Sequence, residues 1–178
     1  MDIIDKLTEI FKEFPGIGER QARRFVYFLM YRNGEYSNNL SKLVLELKKE
    51  IALCKDCFRY FIFDKNDKVL CNICSDLHVD TSLLMIVEKD SDLESVQKSG
   101  VYKGKYFILG GLVPIVEKTT KNRVRIEEIK QRIKKSEKNT KDNLKEIIVA
   151  FSLSPQGDLT QSYVRGELEE ITESLRIK

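Results

Sequence analysis

The sequence predicts a multidomain α+β protein with a helical N-terminal part, a small cysteine-rich hairpin and an α/β domain with a mainly parallel sheet. Three N-terminal segments carry apolar residues at helical spacing, and two Cys-x-x-Cys pairs follow them. Strand-like runs then alternate with helical runs, which is typical of a parallel sheet covered by helices. We place the three parts at residues 1–53, 54–80 and 81–178.

Amphipathic patterns predict the three N-terminal helices. The first covers residues 3–13, the second runs from about Glu19 to Arg32, and the third from about Leu40 to Ala52. The segment FPGIG separates the first two, because proline lacks a backbone donor and glycine tolerates conformations that other residues avoid. Asn33-Gly34 is predicted to end the second helix.

The remaining elements are predicted from short apolar runs and helical patterns. YFIF and KVL, on either side of the polar DKND, predict two short strands about a turn in the cysteine-rich part. In the last part the predicted strands are LLMIVE, YFIL and KEIIVAFS, and the predicted helices are SDLESVQKSG, RIEEIKQRIKKS and LTQSYVRGELEEITESL.

Composition and charge limit the function classes. The chain has 178 residues, of which 42% are hydrophobic, so it can bury a real core. No apolar run approaches the roughly 18 residues that span a bilayer, and the acidic, amphipathic N-terminus is unlike a signal peptide. We therefore expect a soluble cytoplasmic protein with no membrane partner.

The net charge of +3 is unevenly distributed. Residues 118–145 hold eleven Lys/Arg and four Asp/Glu, a local charge of +7. Such a segment can follow a phosphate backbone. It can equally form a solvated helix face, since Lys130, Lys134, Lys138 and Lys141 stand at helical spacing.

The four cysteines carry the strongest chemical signal: Cys54-x-x-Cys57 and Cys71-x-x-Cys74, with thirteen residues between the two pairs. In a reducing cytosol such a pattern favours metal binding over disulfides. Four thiolates suit one tetrahedral Zn²⁺, and a closed site leaves no position for a substrate, so this zinc would be structural. An iron–sulfur cluster or metal-free thiols are the alternatives.

Residues near the cysteines have mainly structural interpretations. His78 is expected to be a surface residue and not a fifth ligand, because such sites close at four ligands. Tyr60, Phe61 and Phe63 could stack on bases, but we expect them to pack the small core of the metal site.

The PGIG segment between the first two helices indicates a phosphate-binding hairpin. Gly16 and Gly18 expose backbone N–H groups at a helix N-terminus, where the helix dipole favours an anion. Arg20, Arg23 and Arg24 would add salt-sensitive contacts. This pattern resembles a helix-hairpin-helix motif. A purely structural Pro-Gly turn is the alternative.

Acidic residues follow the first strand of the α/β part. Glu88, Asp90, Asp92 and the distant Asp158 could converge on Mg²⁺ at the carboxyl edge of the sheet. Helix capping by Asp90 or Ser91, and by Asp158 or Thr160, is the competing interpretation. We favour capping, because two-metal phosphoryl chemistry needs more carboxylates.

Taken in order, these motifs resemble the bacterial RecR family over nearly the whole chain. FPGIGERQARRFVYFLM resembles the family's helix-hairpin-helix, CKDC and CNIC its zinc finger, and IVEKDSDLESVQKSGVYKGKYFILGG the opening of its Toprim domain. SPQGDLTQSYV resembles a later Toprim segment. Arg20 and Arg24 match basic positions of the family's DNA-binding helix, and Glu88 and Asp92 match its acidic pair.

The resemblance implies a non-enzymatic recombination mediator that binds DNA as a homo-oligomer, a dimer or a tetrameric ring. It further implies that the protein works with RecO and RecF to load RecA at gaps. The alternatives are a Mg²⁺-dependent Toprim nuclease or primase-like enzyme using Glu88, Asp92 and Asp158, and a zinc-containing protein adaptor without DNA binding.

Three departures from the family pattern accompany this resemblance. The interval between the cysteine pairs is longer, which predicts an extended hairpin at the finger's tip. LVPIVEKTT lacks the family's serine before proline. The sequence also ends at ESLRIK, where the family continues into another strand and a tail, so we expect altered assembly.

Overall fold

The computed structural model describes residues 1–62, 69–114, 124–138 and 144–178, with only the backbone of 137 and 138. The chain divides into two compact units, Met1–Glu50 and Ile51–Lys178. The predicted boundaries after residues 53 and 80 remain a prediction. Phe63 and the predicted DKND turn lie outside the described residues.

The first unit is a set of three helices: α1 (Ile3–Lys12), α2 (Glu19–Met30) and α3 (Gly34–Glu50). Helix α1 packs on α2 through the buried Ala22 and Val26 of α2 and an edge-to-face contact of Phe11 with Phe25, whose ring centroids are 5.8 Å apart. The predicted helices are confirmed.

The predicted start of the third helix was wrong, because Asn33-Gly34 begins α3. The Asn33 side-chain oxygen accepts from the Tyr36 N–H at 3.0 Å, which is the hydrogen bond of an N-cap. The helix also ends earlier than predicted, since Ile51 and Ala52 already belong to a strand.

The second unit opens with an antiparallel hairpin of β1 (Ile51–Leu53) and β2 (Tyr60–Ile62), paired from Ile51 opposite Ile62 to Leu53 opposite Tyr60. The prediction that YFIF pairs with KVL was wrong, and Val69 and Leu70 are not in a strand. The first Cys-x-x-Cys turn itself reverses the chain, so the segments that flank it pair.

A three-stranded parallel sheet follows, made of β3 (Asp80–Val87), β4 (Gly104–Ile108) and β5 (Glu146–Ala150) in the order β4-β3-β5. The accompanying helices are α4 (Asn72–Ser75), α5 (Asp90–Ser99), α6 (Ile126–Lys138) and α7 (Pro155–Leu175). The α/β fold with a parallel sheet is confirmed.

Alternating residues of the central strand face two different cores. Leu84 and Ile86 belong to the first core, which includes side chains of α6 and α7. Met85 and Val87 belong to the second, which includes Cys54, Cys57 and Cys71 together with Leu93 of α5. The cysteine cluster is therefore part of the hydrophobic core on one face of the sheet.

The described residues contain no helix that is both long and apolar enough to cross a membrane.

Candidate metal centre and nucleic-acid interface

The hairpin and a one-turn helix bring the four cysteines together. Cys54 and Cys57 lie in the turn between β1 and β2. Cys71 is the N-cap residue of α4, and Cys74 lies within that helix. Their sulfur atoms all lie within 4.8 Å of one another, and three of the four residues are buried. None of the four is in a disulfide.

The geometry of the sulfurs suits a metal ion. The Sγ atoms of Cys57 and Cys71 are 3.6 Å apart. A tetrahedral zinc site with Zn–S bonds of about 2.3 Å has sulfurs about 3.8 Å apart, whereas a disulfide requires about 2.05 Å. The cluster can therefore hold one metal ion through four sulfur ligands.

Within the described ranges, the four cysteines are the only group of three or more potential metal ligands. His78 is exposed in a turn outside this group, and its backbone N–H donates to the Asp76 carboxylate at 2.8 Å. The interpretation of His78 as a surface residue is confirmed.

Close thiols alter one another's protonation. Hydrogen bonds from Cys57, then from Cys71 and Cys74, hold the pKa of the Cys54 thiol far below its ordinary value. The Cys71 backbone N–H also points to the Cys54 sulfur, at 3.4 Å. Binding of a metal displaces the protons that the other thiols still carry, so we expect acid to weaken metal binding.

The first cysteine pair is attached to the sheet and to α6. The Cys57 carbonyl accepts from the Ile108 N–H of β4 at 2.8 Å. Asp56, between the two cysteines, pairs with the Arg132 Nε of α6 at 3.0 Å, and the Arg132 side chain is only 11% exposed. Phe58 packs edge-on against Phe107, with ring centroids 5.4 Å apart.

The PGIG segment forms a tight turn that fits its sequence. The Ile17 N–H donates to the Phe14 carbonyl at 3.0 Å, and Gly16 has a φ of 77°. Proline followed by a glycine with positive φ is the pattern of a type II turn. Gly18 is the N-cap of α2, and both glycines are exposed, so an anion can approach them.

One of the backbone donors at this turn is already used. The Gly18 N–H donates to the Gln21 side chain at 3.2 Å. An anion at this site would therefore meet the Gly16 amide and the first free N–H groups of α2, or displace Gln21.

The three arginines of α2 differ in their surroundings. Arg23 is half-buried and pairs with Asp5 and Glu19, each at 3.4 Å. Arg20 and Arg24 are exposed, and neither has an ion pair within the described part of the chain. These two are the arginines available to an external anion.

The acidic residues of the α/β part have structural contacts. Asp92 accepts from the Lys89 N–H at 3.3 Å and so closes the start of α5, while Asp90 accepts from the Tyr60 N–H of β2 at 2.8 Å. Glu88 follows β3 and lies 3.7 Å from the Lys89 ammonium. Asp158 is exposed in the first turn of α7.

Capping occurs, but at residues other than those predicted. Asp92, not Asp90 or Ser91, accepts at the start of α5, and Ser154 caps α7 by accepting from the Gly157 N–H at 3.1 Å. Thr160 is buried instead, where its hydroxyl oxygen accepts from the Val113 N–H at 2.9 Å.

The described part of the basic segment is partly engaged within the fold. The Lys130 ammonium pairs with Glu127 and Glu167, and Arg132 with Asp56. Lys134 and Lys135 are exposed. Several other basic residues of 118–145 lie outside the described residues.

Sequence reasoning missed the structural role of Arg132, which counted only as part of a basic segment. It also missed Lys105 of β4, a buried lysine whose partners lie about thirty positions earlier in the chain. Tyr60 is exposed, so the expectation that it packs the core of the metal site was wrong. Phe61 packs against the core that contains the cysteines, as expected.

The second unit contains a stretch that matches a known protein family. Residues 82–177, which contain most of the parallel sheet, match the family described as "Toprim domain".

Relatives extend the similarity to the helical unit. The chain is similar to Recombination protein RecR of Bdellovibrio bacteriovorus (30% identical over 93% of this chain and 79% of the relative) and of Amoebophilus asiaticus (32%, 94% and 78%). It is also similar to Recombination protein RecR of Prochlorococcus marinus (30% identical over 98% of this chain and 82% of the relative). The chain belongs to the RecR family of recombination proteins.

Proposed function

We propose that this chain is a cytoplasmic, non-enzymatic DNA-binding protein of recombinational repair, which assembles as a homo-oligomer and acts with RecO and RecF to load RecA at gaps. Membership in a family named for recombination supports this role. The observation that carries the proposal is the PGIG turn with its exposed glycines, followed in α2 by Arg20 and Arg24, two exposed arginines that have no ion pair with any residue the structure describes.

The turn supports sequence-independent binding of the DNA backbone. The N-terminus of α2 offers backbone N–H groups and the positive end of the helix dipole to a phosphate. Arg20 and Arg24 stand four residues apart, so they lie on one face of the helix and can contact phosphates together. Such contacts fix position along the duplex without reading bases.

The cysteine cluster supports a structural zinc ion, one per chain. Cys54, Cys57, Cys71 and Cys74 would hold it, and four protein ligands leave no open position for a reacting group. The ion would stabilise the hairpin, α4 and the core of one sheet face.

Arg20→Glu combined with Arg24→Glu is expected to weaken binding to all DNA sequences alike, on the order of tenfold or more. The slope of log affinity against log salt should fall by about two, since two phosphate contacts are lost. The measurement is a titration of labelled duplexes of unrelated sequence across salt concentrations.

Lys48→Glu with Lys49→Glu is the matched control, because it makes the same charge change on the exposed α3 of the same unit. An equal loss of DNA affinity in the two double variants would mean that only net charge matters. That result would contradict phosphate binding at the PGIG turn. A loss confined to one DNA sequence would indicate base readout. No DNA binding by the unchanged protein would favour the adaptor alternative.

The acidic residues lead us to expect no DNA cleavage. Asp90 and Asp92 are engaged in backbone hydrogen bonds, and Glu88, Asp92 and Asp158 do not form a group of ligands within the described part of the chain. Incubation of the protein with DNA and Mg²⁺ should leave the DNA intact. Cleavage that disappears in the Glu88→Ala protein would establish the enzymatic alternative.

A further inference from the structure

Lys105 of β4 is a buried cation with an unusual set of partners. The residue is only 6% exposed. Its ammonium donates to the carbonyl oxygens of Ile73 and Cys74, each at 3.1 Å, and of Asp76 at 3.4 Å. Among the residues that the structure describes, no carboxylate lies within ion-pair distance of it. All three donors of the ammonium thus serve one short stretch of backbone.

That stretch carries the second cysteine pair. Helix α4 has only four residues, Asn72–Ser75, and a helix of one turn is not stable by itself. The carbonyls at the C-terminal end of a helix have no backbone partner within the helix. The three hydrogen bonds from Lys105 therefore fix the backbone at and beside Cys74.

The lysine itself is held in place. The Tyr102 hydroxyl donates to the Lys105 carbonyl at 2.8 Å, and Lys105 pairs with Leu84 in the sheet. A buried cation costs free energy unless its charge is compensated. Four thiolates and one divalent metal ion together carry a net charge of −2. The metal-loaded cluster would therefore compensate the positive charge of Lys105.

The first cysteine pair has a different arrangement. Its nearby cation, Arg132, is already paired with Asp56, so it contributes little net charge to the cluster. The nearby Lys55 and Arg59 side chains are on the hairpin itself, and Lys55 is exposed. In the described ranges, Lys105 is the buried cation that has no carboxylate partner.

We propose that Lys105 is a positioning residue of the metal centre, which holds the Cys71–Cys74 pair in its ligating geometry and offsets the negative charge of the four thiolates. The proposal rests on the metal binding proposed above. If so, strand β4 influences metal affinity through the side chain of Lys105, which is not itself a ligand.

The test compares Lys105→Met, Lys105→Arg and Lys103→Met with the unchanged full chain. Lys103→Met is the matched control, because it removes an exposed lysine two residues away. Each protein is stripped of metal and titrated with Co²⁺, whose absorption reports thiolate ligation and tetrahedral geometry, and Zn²⁺ then competes for the site. Lys105→Met is expected to bind Co²⁺ roughly 10- to 100-fold more weakly and with altered bands. Lys105→Arg should recover part of the affinity, and Lys103→Met should match the unchanged protein.

A second measurement separates positioning from ordinary stabilisation. The stability lost in Lys105→Met is measured by urea unfolding with Zn²⁺ and with a chelator. A larger loss with Zn²⁺ supports the proposal, and an equal loss under both conditions contradicts it. Equal Co²⁺ affinity and identical bands in Lys105→Met and the unchanged protein overturn the role of Lys105 alone. Absence of any Co²⁺–thiolate band in the unchanged protein overturns the metal centre and the role of Lys105 together.

Discussion

Replacement of Cys71 by serine is expected to abolish tight metal binding and to open residues 54–80 to proteases. Cys71 is fully buried, its sulfur lies 3.6 Å from that of Cys57, and its backbone caps α4. Structural zinc contributes on the order of 10 kcal/mol to the folding of small zinc-binding peptides. The measurements are the metal content of the purified protein and the rate of limited proteolysis.

His78→Ala is the control for Cys71→Ser, since His78 is exposed and outside the ligand group. It should retain one metal ion per chain and the protease resistance of the unchanged protein. Unchanged metal content and resistance in Cys71→Ser would contradict a structural metal at the four cysteines.

Gly157→Ala is expected to destabilise the second unit by about 2–4 kcal/mol. A Cβ at this position would lie 2.0 Å from the Ser152 carbonyl oxygen, which is backbone and cannot move independently. The higher helix propensity of alanine, worth at most about 1 kcal/mol, cannot offset such a clash. Urea unfolding followed by circular dichroism measures the change.

Gly166→Ala provides the comparison within the same helix. Gly166 is exposed and a Cβ there would meet nothing within 4 Å. Alanine should therefore be neutral or stabilise the protein by up to about 1 kcal/mol. A similar stability change at both glycines would mean that α7 does not lie as close to Ser152 as the structure has it.

Elements with a clear repeat were predictable from the sequence. The apolar run LLMIV has to be buried on both faces, and it forms the central strand β3 with a different core on each side. The stripe of Ala22 and Val26 buries one face of α2. Period and composition decide these cases locally, so no knowledge of distant contacts is needed.

Elements decided by a single side chain or a distant partner were not predictable. Asn33-Gly34 fits both the end of one helix and the cap of the next, and only the hydrogen bond of Asn33 to Tyr36 distinguishes them. The strand Ile51–Leu53 continued an apparently helical pattern, and its pairing with β2 follows from the reversal at Cys54 and Cys57. Tertiary pairing overrode local propensity there.

The candidate sites show the same division. The cysteine spacing was sufficient to predict the cluster, because ligands within each pair are close in sequence. The contacts of Lys105 and Arg132 were not predictable, because their partners are distant in sequence. Lys105 lies about thirty positions from Cys74, and Arg132 lies seventy-six positions from Asp56. Arg23 was grouped with Arg20 and Arg24, and only the structure distinguishes it through its pairing with Asp5.

The most direct test of DNA binding through the phosphate backbone is the salt dependence of the unchanged protein's affinity. Log affinity should fall linearly with log salt, with a slope of about −0.9 for each phosphate contacted, and with the same slope on duplexes of unrelated sequence. Affinity that does not change with salt, or binding to one sequence only, would contradict a phosphate-binding hairpin at PGIG.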